Sequence, residues 1–357
     1  MLNTIEQFVR PEIHSFNAYP VGETTNAIKL DNMENPDAWD QSVVDDWRQR
    51  LKLTPINRYP DAEAGPLHAK LREVMGIPDN TGMKLGNGSV ELIQMVCMAL
   101  AKPGATVLAP NPTFGMYKML AFFANMDYRP VDLNDDFSLN MPAMMQAIEE
   151  TQPAVVFLSY PYNPAGNLIE ERDVCQIIDA NPGLVVMGEA YFASAGDSFA
   201  KYLDQYNNLM IMRAVSKMGL AGLRLGYMMG NPAWINEFNK VRSPFNINSL
   251  TQVSAEFALE NRAMFETQTD ETCQARDSLY ASMKKINATQ CCPSQANFIL
   301  VKPKIGQGNH LFDALKKVAI LIRNLGTTVG LLANCLRVTV GTKQENAVFL
   351  QALQENS

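Results

Sequence analysis

Histidine is scarce in this chain of 357 residues: His14, His68 and His310 are the only three, far apart in sequence. With so few, a histidine-rich zinc site is not expected. The six cysteines (Cys97, Cys175, Cys273, Cys291, Cys292 and Cys335) contain no C-x-x-C pair, so neither a disulfide framework nor a metal-binding knuckle is indicated. Basic residues are outnumbered, 30 Lys and Arg against 37 Asp and Glu, for a net charge of -7. That balance argues against nucleic acid or an anionic membrane as the main partner, so any anionic ligand must be met by a local group of arginines. No run reaches the roughly 18 apolar residues of a membrane span. The first twenty residues carry Glu6, Arg10 and Glu12 where a secretion signal has an apolar core, and the expected setting is reducing and cytoplasmic.

What the chain does have is alternation. Short apolar runs at Ala105 to Ala109, Ala154 to Ser159, Leu184 to Met187 and Leu209 to Val215 are separated by helical patterns. This predicts an α/β fold with a mostly parallel sheet covered by helices on both faces. Ligands of such sheets bind at the carboxyl ends of the strands. Beyond Pro244-Phe245-Asn246 the pattern changes to helices at Leu250 to Leu259, Arg276 to Ile286 and His310 to Val318, with strands at Asn297 to Val301 and Cys335 to Val340. A second, smaller α+β domain is expected there.

Chemistry gathers at the strand ends. Val215-Ser216-Lys217-Met218-Gly219 closes one apolar run, and a lysine amine can form a Schiff base with a carbonyl cofactor, usually pyridoxal phosphate. Gly86-Asn87-Gly88-Ser89 opens a helix whose first N–H groups make an anion cup. Arg224, seven residues after Lys217, can add a charge-assisted bond to the same anion. Phe114 follows the strand at Ala105 and could stack on a flat ring; Asn163 and Tyr191 follow the next two strands and could donate to a phenolate oxygen. Taken singly, each has an ordinary reading: a solvated lysine or arginine, a capped helix, a turn asparagine, a core aromatic.

Together and in this order, the motifs resemble the histidinol-phosphate aminotransferase family of fold type I, class I/II enzymes dependent on pyridoxal phosphate. The resemblance runs nearly the full length, from Met33-Glu34-Asn35-Pro36 and Arg58-Tyr59-Pro60-Asp61 through the strand-end motifs to Ser294-Gln295-Ala296-Asn297-Phe298, Ile322-Arg323-Asn324 and Leu336-Arg337-Val338. It implies a seven-stranded, mostly parallel sheet in a large domain (29–246), a small α+β domain (247–357), and an N-terminal arm (1–28) packing with the small domain. It further implies that Lys217 carries the cofactor and then moves protons as acid and base. The turn at Ser89, Val90 and Glu91, with Ser216 and Arg224, would hold the cofactor phosphate, joined by Tyr59 from the other subunit of a homodimer. Phe114 would stack on the ring, Asn163 and Tyr191 would meet its phenolate oxygen, and position 188 would face its nitrogen. Asn35, Asn297, Arg323 and Arg337 would bind substrate, the arginines taking its phosphate or carboxylate. The implied reaction moves an amino group between L-glutamate and imidazole-acetol phosphate, in histidine biosynthesis.

The chain also departs from the family pattern. Gly188 stands where the family has an aspartate paired with the ring nitrogen, and loss of that charge lowers the nitrogen's proton affinity. Asp37, Val90, Tyr162, Ala165, Ser194 and Ala214 also differ from the family's residues, and the departures are expected to gather around the pocket. They leave three readings open: a working or weakened aminotransferase, a cofactor enzyme of changed reaction on a redirected or engineered scaffold, and a scaffold with little turnover. On the first reading, Gly188→Asp is expected to accelerate transamination by several orders of magnitude, since lost charge stabilisation costs roughly 3 kcal/mol or more. An unchanged rate in a half-reaction assay would refute that account of Gly188.

Overall fold

The computed structural model describes residues 2–14, 17, 26–286, 289–326 and 330–356. Its strands are β1 (Ile28–Leu30), β2 (Gly82–Gly86), β3 (Thr106–Asn111), β4 (Asp127–Asp132), β5 (Val155–Ser159), β6 (Leu184–Gly188), β7 (Leu209–Ala214), β8 (Gly226–Gly230), β9 (Thr289–Cys291), β10 (Phe298–Pro303), β11 (Ile320–Asn324) and β12 (Leu336–Thr339). They form two sheets. The larger has seven strands in the order β2-β8-β7-β6-β5-β3-β4, and only β8 runs against its neighbours. This is the expected α/β architecture, and the central strands show why it forms. Val155 to Ser159 and Leu209 to Ala214 are buried throughout, as strands covered by helices on both faces must be.

Strand succession reverses between β3 and β5, with β4 outside β3 and β6 and β7 stepping the other way. Loops leaving β3 and β5 therefore diverge and open a crevice at the carboxyl ends of the strands. Phe114 and Asn163 stand on those two loops.

The smaller sheet, β1-β11-β12-β10-β9, is mixed. It has its own core, in which Leu279 and Met283 of the helix Arg262–Met283 meet Phe349 and Leu353 of the helix Lys343–Glu355. That last helix is set by a capping box in which Thr342 and Glu345 exchange bonds. β1 joins this sheet parallel to β11, from Ile28 opposite Ile320 to Leu30 opposite Ile322. The expected boundary between residues 28 and 29 thus falls inside a strand. At the other expected boundary, the helix Ser249–Glu260 sends Ala255, Ala258 and Leu259 into the larger core.

Beneath the strand ends lies a buried ion pair. Glu189, directly after β6, is wholly buried, and Arg213 of β7 is 7% exposed. The guanidinium Nε and Nη2 both lie 2.9 Å from Glu189 Oε2. The carboxylate also accepts from Ser198 Oγ (2.8 Å to Oε2) and the Phe199 amide (2.8 Å to Oε1), and Arg213 stacks 4.4 Å over the Phe192 ring. Burial pushes the Glu189 carboxyl up, while Arg213 and these donors pull it back. Removing one partner leaves an uncompensated buried charge, so Glu189→Gln is expected to cost about 3 to 5 kcal/mol in urea unfolding. Glu189→Gln with Arg213→Met should cost less than the sum of the two single variants, a non-additivity that a double-mutant cycle measures.

Candidate active site

A cavity of about 420 Å³ lies at the carboxyl ends of the larger sheet. One end of it is built for an anion. The helix Gly88–Leu100 begins there, and its N-cap Asn87 makes no capping bond from its side chain; that side chain donates instead to the Asn246 carbonyl at 2.8 Å. The first-turn N–H groups consequently lack an intrahelical partner. Gly88 adopts φ +76°, and a Cβ on it would lie 2.7 Å from the Arg224 guanidinium. Arg224 is itself held in the left-handed region at φ +51°, with Nη1 3.5 Å from Ser216 Oγ. Ser89, Ser216 and Arg224, predicted from sequence as one group, thus converge on one end of the cavity.

Glu91 does not join them. Its carboxylate accepts from the Asn87 amide and from Asn246 Nδ2 at 2.8 Å, so it braces the turn behind the cradle. This keeps a negative charge away from the anion end.

Lys217 follows β7 in a short 3-10 turn and enters the cavity. Its Nζ donates to the Asn32 carbonyl at 2.7 Å. Burial, then the neighbouring Arg337 and Arg224, push the amine down to about 8, against a smaller upward pull from Glu34 and Asp31. Phe114 lines the wall. Asn163 Nδ2 donates to the Tyr191 hydroxyl at 3.1 Å, so the two predicted phenolate donors stand together. Arg337 Nη1 donates to Asn163 Oδ1 at 2.8 Å and its Nη2 to the Asp31 carbonyl at 3.3 Å. One chain of bonds therefore links β12 of the smaller sheet to the cavity wall.

Other predicted residues stand apart from the cavity. Arg337 and Arg323, directly across the ladder from each other, both lie outside the lining, and Arg337 meets the wall through Asn163. Asn35 turns to Gln268, with Nδ2 3.0 Å from Oε1, and Asn297 Nδ2 holds the Met33 carbonyl at 2.9 Å. Both order the segment above the site. Tyr59 is 82% exposed, stacked on Phe245 with centroids 4.6 Å apart. Of the departures, Val90, Gly188 and Ala214 line the cavity, whereas Asp37, Tyr162, Ala165 and Ser194 do not. The expected gathering is partial because Tyr162 points into the core, its hydroxyl bonded to the Pro112 carbonyl at 2.8 Å. Among the lining residues not expected from sequence are Asn32, Tyr117 and Ser159, the last two with hydroxyls 3.3 Å apart. Tyr117 stands three positions after Phe114, inside a motif already singled out, and Ser159 ends β5; position alone was their signal.

The donor set suits pyridoxal phosphate: an anion cup with an arginine, a lysine of lowered basicity and two donors for a phenolate oxygen. Residues 25–353 match the model of the aminotransferase class I and II family, and the fold and site define a pyridoxal-phosphate-dependent aminotransferase. Histidinol-phosphate aminotransferase 2 of Nitrosococcus oceani is 49% identical over 350 residues, 98% of this chain and 97% of that protein. The histidinol-phosphate aminotransferase of Chromobacterium violaceum is 47% identical, with 98% of each covered. The chain belongs to the histidinol-phosphate aminotransferase family. Its fold matches the crystal structure of histidinol-phosphate aminotransferase from Sinorhizobium meliloti in complex with pyridoxal-5'-phosphate, with TM-score 0.86 and 23% identity over 98% of this chain and 97% of that one.

The lowered basicity of Lys217 sets a measurable pH dependence. The fold disfavours the protonated amine, so its neutral form dominates above about 8, whereas an unperturbed lysine needs pH above ~10.4. In cofactor-free protein, acylation of Lys217 followed by mass spectrometry should rise with a midpoint of about 8. The same shift lowers stability below that pH, and the penalty fades as pH climbs towards 10.5.

Proposed function

We propose that the protein transfers an amino group between L-glutamate and imidazole-acetol phosphate, giving L-histidinol phosphate in histidine biosynthesis, in the cytoplasm. The full-length likeness to histidinol-phosphate aminotransferases favours this reading over a changed reaction or an idle scaffold. The observation that carries it is the chain Arg337, Asn163, Tyr191, which couples a guanidinium for an anionic substrate to the wall beside Lys217.

Ser89, Val90 and the helix N-terminus, with Ser216 and Arg224, would hold the cofactor's phosphate, and Phe114 would cover its ring. When bound, pyridoxal phosphate supplies an electron-withdrawing ring that stabilises negative charge at the substrate α-carbon. Lys217 would serve as the base that removes the α-proton and the acid that returns it; an amine lowered to about 8 in the cofactor-free protein is nearly matched to both tasks at neutral pH. Asn163 and Tyr191 orient the phenol side, and Arg337 fixes the anionic end of the substrate. Arg323 stands one strand further out as a second cation for the phosphate, and Asn35 and Asn297 hold the covering segment in place. Tyr59 completes the phosphate site of a second copy in a homodimer. Its exposed ring and the exposed aliphatic side chains of Leu53 and Ile56 are apolar groups suited to that contact.

Borohydride reduction of the loaded enzyme should place a pyridoxyl group on Lys217, found by peptide mass mapping; an unmodified Lys217 refutes the assignment. L-glutamate and L-histidinol phosphate should each convert the bound cofactor to its pyridoxamine form. Arg337→Gln removes a charge-assisted contact of about 2 kcal/mol, so KM for the phosphorylated substrate is expected to rise roughly 30-fold, with kcat changed less.

A further inference from the structure

Gly188 leaves a question that the cavity itself answers. We propose that the Tyr117 hydroxyl, seated over Gly188 and backed by Ser159, is the partner of the cofactor's ring nitrogen, so that this protein holds that nitrogen neutral. The inference rests on the binding of pyridoxal phosphate proposed above.

The placement follows from the shape of the ligand and the polar groups of the wall. On the pyridine ring the nitrogen lies para to the carbon that bears the aldehyde, with the phenol and the phosphate arm on the two carbons flanking that one. Lys217 takes the aldehyde, Asn163 and Tyr191 the phenol oxygen, and Ser89, Ser216 and Arg224 the phosphate. Three attachments on a planar ring fix the fourth position. Two other polar residues of the lining stand by the lysine and not across the ring from it: Asn32, whose backbone carbonyl accepts from Lys217, and Glu34, which pairs with Lys29 at 2.8 Å. The hydroxyls of Tyr117 and Ser159 are what remain for the nitrogen.

No carboxylate can take their place. Glu189 is the next residue after Gly188, but successive residues of a strand face opposite ways, and its carboxylate is bonded to Arg213, Ser198 and Phe199. A side chain at position 188 is excluded as well: a Cβ there would stand 2.6 Å from the Tyr117 hydroxyl and 3.4 Å from the Leu158 carbonyl. The phenol and an acidic side chain at 188 are therefore alternatives. Tyr117 is anchored where it stands, stacked on Phe157 with centroids 4.6 Å apart and 9° between planes, and edge-on to Phe114. Burial pushes its hydroxyl up to about 12, so at neutral pH it is a proton donor and carries no charge. Tyr117 can donate to the ring nitrogen while accepting from Ser159 Oγ, which satisfies both hydroxyls with no proton transferred.

This alters the remedy expected from sequence alone. Gly188→Asp collides with the phenol, whereas Gly188→Asp combined with Tyr117→Phe removes the clashing oxygen and places a carboxylate beside the nitrogen.

The test is the nitrogen-15 chemical shift of ring-labelled pyridoxal phosphate bound to the intact protein between pH 6 and 9. The unaltered protein should show a neutral pyridine shift that does not move with pH. Tyr117→Phe should move that signal further downfield as the hydrogen bond is lost, and the double variant should move it upfield to the pyridinium range. A pyridinium shift in the unaltered protein overturns the proposal, and so does a Tyr117→Phe signal indistinguishable from the parent. If no labelled cofactor is retained, the binding reading fails and the inference falls with it, a result distinct from a retained but protonated ring.

Discussion

The contact on which the rest of the site depends is the buried pair of Glu189 and Arg213. It joins the carboxyl ends of β6 and β7, and those two ends carry Gly188, Tyr191, Ser216 and Lys217. Taking both charges out of water is costly by several kcal/mol per ion, and the geometry offsets that with two guanidinium contacts, a serine hydroxyl and a backbone amide. Because the pair is satisfied from several elements at once, the floor of the cavity is fixed before any ligand arrives. Catalytic positioning at the level of an ångström needs such support.

Much of this was legible in the sequence. The central strands are continuous apolar runs because both of their faces are covered, and the chemistry-bearing residues come at their ends because the loops there open the crevice. Lys217, Arg224, Asn163 and Tyr191 could be found by that rule. Less legible was the direction in which a loop residue points. Glu91 lies in the phosphate turn by sequence, yet its carboxylate folds back onto Asn87 and Asn246. Tyr162 adjoins Asn163 in sequence but turns into the core. Arg323 and Arg337 appear equivalent as strand arginines and stand opposite each other in the ladder, both outside the cavity lining, and the sequence does not show that Arg337 bonds to the wall residue Asn163. Tyr117 was hidden for a different reason: an aromatic in the first turn of the helix that follows a strand has the signature of core packing, and its polar tip matters only once Gly188 is known to leave room for it.

Gly188 also shows how a missing side chain acts through its neighbour. In isolation the glycine reads as a loss, a charge partner deleted. In the folded protein the vacated volume is filled by the oxygen of a tyrosine anchored through ring stacking. A departure of this kind is better judged by what occupies the space than by what has gone from it.

The bond from Lys217 to the Asn32 carbonyl has a mechanical side. Asn32 lies two residues beyond β1, an edge strand of the smaller sheet, and the neighbouring Asp31 carbonyl is held by Arg337 from β12 of that sheet. The reactive nitrogen sits on the larger sheet, but one of its partners is mounted on the smaller one. Its proton affinity is therefore set by both halves: the Asn32 carbonyl, Glu34 and Asp31 favour the charged amine, while burial and Arg337 from the smaller sheet disfavour it more strongly.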